Sequence, residues 1–156
     1  MKDIMLRIIG RSLVGEEAED QMEFVTEGKF YEKGDTMYII YEESELSGMP
    51  GCKTSLRVQS GNVRMKRFGK GAGSDTIMEF QKGKRTEGLY DTPFGSFEME
   101  LLTNDIRSTL SRDGNGTVDI DYHISLKGLS EGRSLLNIEI LPPALMEGEA
   151  QESDYH

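Results

Sequence analysis

The chain has 156 residues, a length that suits one domain. Apolar residues make up 36% and glycine adds 18 residues, the balance of a globular domain, while 28 acids against 18 bases leave a net charge of −10. No apolar run is long enough for a transmembrane helix. The acidic balance weighs against a general nucleic-acid binder. One cysteine excludes an internal disulfide and a cysteine-based zinc site.

The opening run Met1 to Gly10 is short in apolar residues and interrupted by Arg7, so it does not read as a signal peptide. With the lone thiol Cys52, it points to a reducing cytoplasm. Apolar alternation dominates from there on, and helical periodicity is nearly absent. Ile4 to Val14 reads as a first strand, followed by an acidic loop from Gly15 to Asp20. Strands follow over Gln21 to Tyr31 and, after the Gly34-Asp35 turn, over Thr36 to Leu46. Ser47 to Gly51 breaks the chain, and the strands Cys52 to Ser60 and Asn62 to Phe68 flank a Ser60-Gly61 hairpin turn.

A glycine-rich loop, Gly69 to Ser74, leads to a strand over Thr76 to Gln81. Lys82-Gly83 turns the chain into Arg85 to Asp91, and Asp91 to Gly95 turns it again into Ser96 to Leu110. That segment changes phase between Leu101 and Ile106, which a bulge near Thr103-Asn104 explains; a short helix over Asp105 to Leu110 is the alternative. Asp113-Gly114-Asn115-Gly116 is the strongest hairpin signal. Val118 to Leu126 alternates cleanly, and Leu136, Ile138 and Ile140 form the final strand. Residues 142–156 carry four acids and no Lys or Arg, and read as a solvated, disordered tail after a barrel domain over residues 1–141.

Eight to ten short antiparallel strands without a crossover helix close into a single up-and-down barrel or fold as a sandwich. The run Tyr38 to Glu43, the Arg67-Phe68-Gly69 step, the Met78-Glu79-Phe80 strand and the turn Tyr90 to Gly95 resemble the YwiB-like bacterial family, a small domain of unknown function. The resemblance spans roughly Ile4 to Leu141. It implies a calycin-type, lipocalin-like meander barrel in the bacterial cytoplasm, and it supplies no catalytic residues. The chain departs from true lipocalins in having no Trp.

Charge is unevenly spread. Residues 1–50 carry −7, residues 53–85 carry +7 and residues 86–156 carry −10. A two-residue Ser60-Gly61 turn pairs Val58 with Val63 and Leu56 with Met65 facing in, and Arg57 with Arg64 facing out. Placing Val63 opposite Phe80 puts Arg64 opposite Glu79. Like charges face to face need neutralising. The row is either a solvated ion row or a contact for an anion or acidic partner, with Lys66 and Lys70 beside it. Phe68 and Tyr90 are the nearby stacking candidates for nucleic acid.

Arg67 shares parity with Val63 and Met65 and so points inward at a strand end. It either caps the barrel end against loop carbonyls or receives a ligand carboxylate or phosphate. The apolar walls around such a ligand are Tyr41, Met65, Met78, Phe80, Phe97, Met99, Ile120 and Tyr122.

Other chemistry is thin. His123 lies on a polar strand face, about 7 Å from Asp121 and Ser125, too far for a relay. Asp113, Asn115, Asp119 and Asp121 lack the glycine and the closing Glu of a calcium loop. Cys52 reads as a small buried hydrophobe. These residues call for no metal and no cofactor. They point to a non-catalytic barrel that binds a small anionic or amphipathic ligand. The alternative is a filled barrel whose outer cationic sector meets an acidic protein or RNA. A monomer or homodimer is expected, with no membrane partner.

Overall fold

The computed structural model describes residues 1–14, 17–42, 53–68, 76–92, 95–127 and 130–142. Ten strands run in chain order: β1 (Lys2–Val14), β2 (Glu17–Lys33), β3 (Thr36–Glu42), β4 (Lys53–Gln59), β5 (Asn62–Phe68), β6 (Thr76–Gln81), β7 (Arg85–Thr92), β8 (Gly95–Ser108), β9 (Gly116–Leu126) and β10 (Ser130–Ile140). Each pairs antiparallel with its sequence neighbours, and β10 returns to β1 to close the barrel. No helix occurs among the described residues, so none is long and apolar enough to cross a membrane.

Alternation decides which side chains fill the interior. Along β4 and β5 the buried residues are Thr54, Leu56, Val58, Val63 and Met65, and the intervening residues face out. Leu6, Ile39, Phe80, Leu101, Ile120 and Ile138 are almost wholly buried in the same core. Each such side chain contributes about 1.5–3 kcal/mol relative to exposure.

The β4–β5 hairpin takes the register that its two-residue turn dictates. Arg57 pairs with Arg64, Val58 with Val63 and Leu56 with Met65. On the next strand Val63 meets Phe80 and Arg64 meets Glu79. The phase change on β8 is a bulge between Thr103 and Asp105, and the strand runs on to Ser108 without a helix.

Several expected boundaries move. Part of the acidic loop belongs to β2, which starts at Glu17 and pairs with β1. The first strand also begins earlier, at Lys2. β10 begins at Ser130, well before Leu136, because its polar first half is held by backbone pairing to β1 and β9 rather than by apolar alternation. The Asp113 to Gly116 turn is the tip of a wider connection: Ser111 N donates to the Asn115 carbonyl at 2.9 Å and Gly114 N to the Ser111 carbonyl at 3.0 Å. Gly116 has φ +115, and a Cβ there would sit 2.3 Å from the Thr109 carbonyl oxygen, so this position requires glycine. Cys52, Leu46, Lys70 and the acidic tail from residue 143 lie outside the described residues.

Candidate functional site

The meander sorts the connections between strands. Those after β2, β4, β6 and β8 leave one end of the barrel, and those after β1, β3, β5, β7 and β9 leave the other. The C-terminal end of β5 therefore lies at the second end, the mouth, and carries Arg67. Its register partners Thr54 and Thr76 are both buried, which places Arg67 on the inner face as its parity predicts. The Arg67 Nε is itself buried.

A cavity of about 300 Å³ opens at this mouth. Arg67, Tyr41, Met65, Met78 and Tyr122 line it, and Tyr90 and Ser134 join them. The volume stands at the lower bound of ordinary small-molecule pockets, ~300–1,000 Å³. Polar groups converge there: the Tyr122 side chain is hydrogen-bonded to Ser134 and feels the charge of Arg67. Burial holds the Tyr122 phenol above its ordinary range, while the Ser134 hydrogen bond and Arg67 pull it down. The phenol therefore stays a neutral hydrogen-bonding group beside a cation at neutral pH.

The remaining expected wall residues separate by depth. Phe80, Met99 and Ile120 are packed into the core and do not line the cavity. Tyr122 caps Phe80 edge-on, with ring centroids 4.9 Å apart, and so divides hollow from filled barrel. Phe97, opposite Tyr90 in register, is half-buried and also off the cavity. Wider hollows of about 470 and 720 Å³ lie elsewhere. They are grooves across the outer wall, where charged side chains such as Asp105 and Asp121 or Asp3 and Lys29, several of them ion-paired, alternate with apolar ones.

On the outer wall, Arg64 approaches Glu79 at 3.6 Å. Arg57 has no carboxylate within ion-pair distance among the described residues. Lys66 extends over the Phe68 ring at 5.9 Å. Tyr90, expected as an outer stacking residue, instead packs against the core and faces the cavity, because it shares the inward face of β7. The outer aromatic pair is Tyr31 and Tyr38, stacked at 4.6 Å with an interplanar angle of 8°. Tyr38 stands directly opposite Arg57. The Gly34-Asp35 turn carries the signal for this pair, since a two-residue turn there aligns Tyr31 with Tyr38.

The polar face around His123 is tied up structurally. Arg133 grips Asp121 through two hydrogen bonds of 2.9 and 2.6 Å, and Asn104, at the bulge, lies 3.1 Å from Asp121 and 3.0 Å from His123 Nδ1. Arg133 holds the Asp121 carboxyl below the ordinary aspartate range. Asp119 accepts a hydrogen bond from Asn137.

No protein of curated function matches the chain. Among solved structures it is similar to the ywiB protein from Bacillus subtilis, at 23% identity and a TM-score of 0.70, over 90% of this chain and 92% of that one. This likeness shows the shared barrel fold. A family model, the domain of unknown function DUF1934, matches residues 7–138. That match covers β2 to β9 in full and most of β1 and β10, so the chain belongs to the DUF1934 family of YwiB-like β-barrels.

Proposed function

We propose that this barrel is a non-catalytic, cytoplasmic binding module for a small anionic or amphipathic molecule. The observation that carries this reading is the mouth cavity. Arg67 and three tyrosines meet three methionines in one concavity, while the deeper interior is packed. The ligand's carboxylate or phosphate sits against the Arg67 guanidinium, which offers paired donors to planar oxyanions. Its apolar part lies on Met65 and Met78, whose flexible thioethers adapt to irregular shapes. Tyr122 and Tyr90 supply hydroxyls.

Native mass spectrometry of protein purified gently from a bacterial host tests this. An adduct that departs on denaturation, and that is lost in Arg67→Ala, is the expected result. A clean unliganded mass across independent preparations contradicts it.

A second reading is favoured by the stacked Tyr31 and Tyr38 beside Arg57 and Arg64. In it, the outer cationic sector meets an acidic protein or RNA. Arg57→Glu with Arg64→Glu abolishes that association and leaves the mouth cavity unchanged.

A further inference from the structure

The barrel closes unevenly. Nine of its ten neighbouring strand pairs each share six or more register pairs. β6 and β7 share one, Thr76 with Tyr90, although both strands lie wholly within the described residues. The seam between them is pinned at both ends. Thr76 and Tyr90 hold it at the mouth. At the far end Lys84 N donates to the Gln81 carbonyl at 2.9 Å, and Gly83 N donates to the Thr103 carbonyl of β8 at 2.8 Å. In the middle the Thr86 hydroxyl, a side-chain group, donates to the Glu79 carbonyl at 2.6 Å.

What flanks the seam is also unusual. Continuing the antiparallel register from Thr76 and Tyr90 sets Ile77 opposite Leu89 and Met78 opposite Gly88. Ile77 and Leu89 are 40% and 57% exposed, two of the few large apolar side chains left in water. Met78 is buried and lines the mouth cavity. Gly88 places no side chain beside it; an added Cβ there would sit 3.4 Å from the Ile77 carbonyl oxygen and 3.5 Å from Met99 Cε. The seam thus has apolar lips outside, a cavity wall inside and a gap in side-chain cover between.

We propose that the β6–β7 seam is a lateral gate through which a slender amphipathic anion enters and leaves the mouth cavity. This rests on the binding function proposed above. Parting the two strands between their pins disturbs little backbone pairing, so it is a local opening of low free energy compared with any other seam. The ligand's apolar portion crosses between Ile77 and Leu89 onto Met78, and its anionic end settles at Arg67.

The test uses the full chain and the fluorescent anion 1-anilinonaphthalene-8-sulfonate as probe. Ile77→Cys with Leu89→Cys, in a Cys52→Ser background, staples the seam on oxidation. The stapled protein is expected to bind the probe with near-unchanged affinity but to exchange it at least roughly tenfold more slowly, with reduction restoring the rate, as for a gate that must open locally. Gly88→Val, which fills the gap without a crosslink, slows exchange in the same direction. Unchanged exchange rates in both variants overturn the gate. Hydrogen exchange without probe gives an independent reading: the seam-facing amides of residues 77–80 and 86–89 exchange faster than those between β4 and β5, and equal protection overturns the gate. Failure of the wild type to bind the probe, together with fast seam exchange, contradicts the binding function rather than the mobility of the seam.

Discussion

The two halves of this barrel are made from the same alternation and differ in what the inward positions hold. Toward the closed end those positions carry Ile4, Phe30, Ile39, Val118 and Ile140, all buried in one cluster. Toward the mouth they carry Gly10, Ser12, Arg67, Tyr90, Tyr122 and Ser134, and the interior opens into a cavity. An apolar inner face packs until no space remains. A face that mixes glycine, hydroxyls, the Arg67 guanidinium and the Asp20 carboxylate cannot pack that way, because each polar group needs a partner when buried. The contrast shows how a change of residue type along the inner rows turns a packed interior into a cavity.

The largest effect expected from this comparison comes from the filled half. Phe80→Ala removes a fully buried ring and destabilises the protein by about 3–5 kcal/mol, read as a fall in the urea midpoint. Met78→Ala removes a buried side chain that already borders empty space, so its cost falls toward the low end for such truncations, about 2 kcal/mol. Equal losses at the two positions would erase the distinction between filled and hollow halves.

A smaller effect of opposite sign is expected at Thr103, whose buried hydroxyl has no hydrogen-bond partner among the described residues. Thr103→Val keeps the shape and removes an unsatisfied polar atom. It leaves stability unchanged or raises it by up to about 1 kcal/mol on the same urea curve. On the outer wall the effects shrink further. Glu79→Gln breaks an exposed pair with Arg64 and costs about 0–1 kcal/mol.

The acid response sharpens the same contrast between inside and outside. Asp121 has its pKa lowered in the folded state by Arg133, so its contribution is present above the unfolded aspartate value of about 4 and is lost as pH falls through the lower folded value. Asp121→Asn therefore flattens the loss of stability below about pH 4 in urea titrations. A variant with the wild-type acid limb would show that Arg133 does not stabilise the carboxylate.

Much of the fold was legible because alternation and two-residue turns are local signals. The Ser60-Gly61 turn alone fixes six side chains to faces and partners, Arg57 and Arg64 among them. The inward position of Arg67 followed from the same parity. The polar start of β10 was not legible, since Glu131, Gly132, Arg133 and Ser134 show no apolar face, and their pairing depends on strands from both ends of the chain. Depth along the barrel was hidden too. Phe80, Met99 and Ile120 share parity with the cavity residues, and parity tells inside from outside without telling mouth from base. The β6–β7 seam left one trace, Gly88 in an otherwise ordinary strand.

Methyl NMR of the methionines tests whether the mouth is the half that binds. Met65 and Met78 border the cavity, and Met99 is buried in the core and does not line it. On titration with 1-anilinonaphthalene-8-sulfonate, the methyl signals of Met65 and Met78 shift and saturate together while that of Met99 stays in place, and Arg67→Ala weakens the response. Stationary Met65 and Met78 signals, or shifts confined to Met99, would contradict the account.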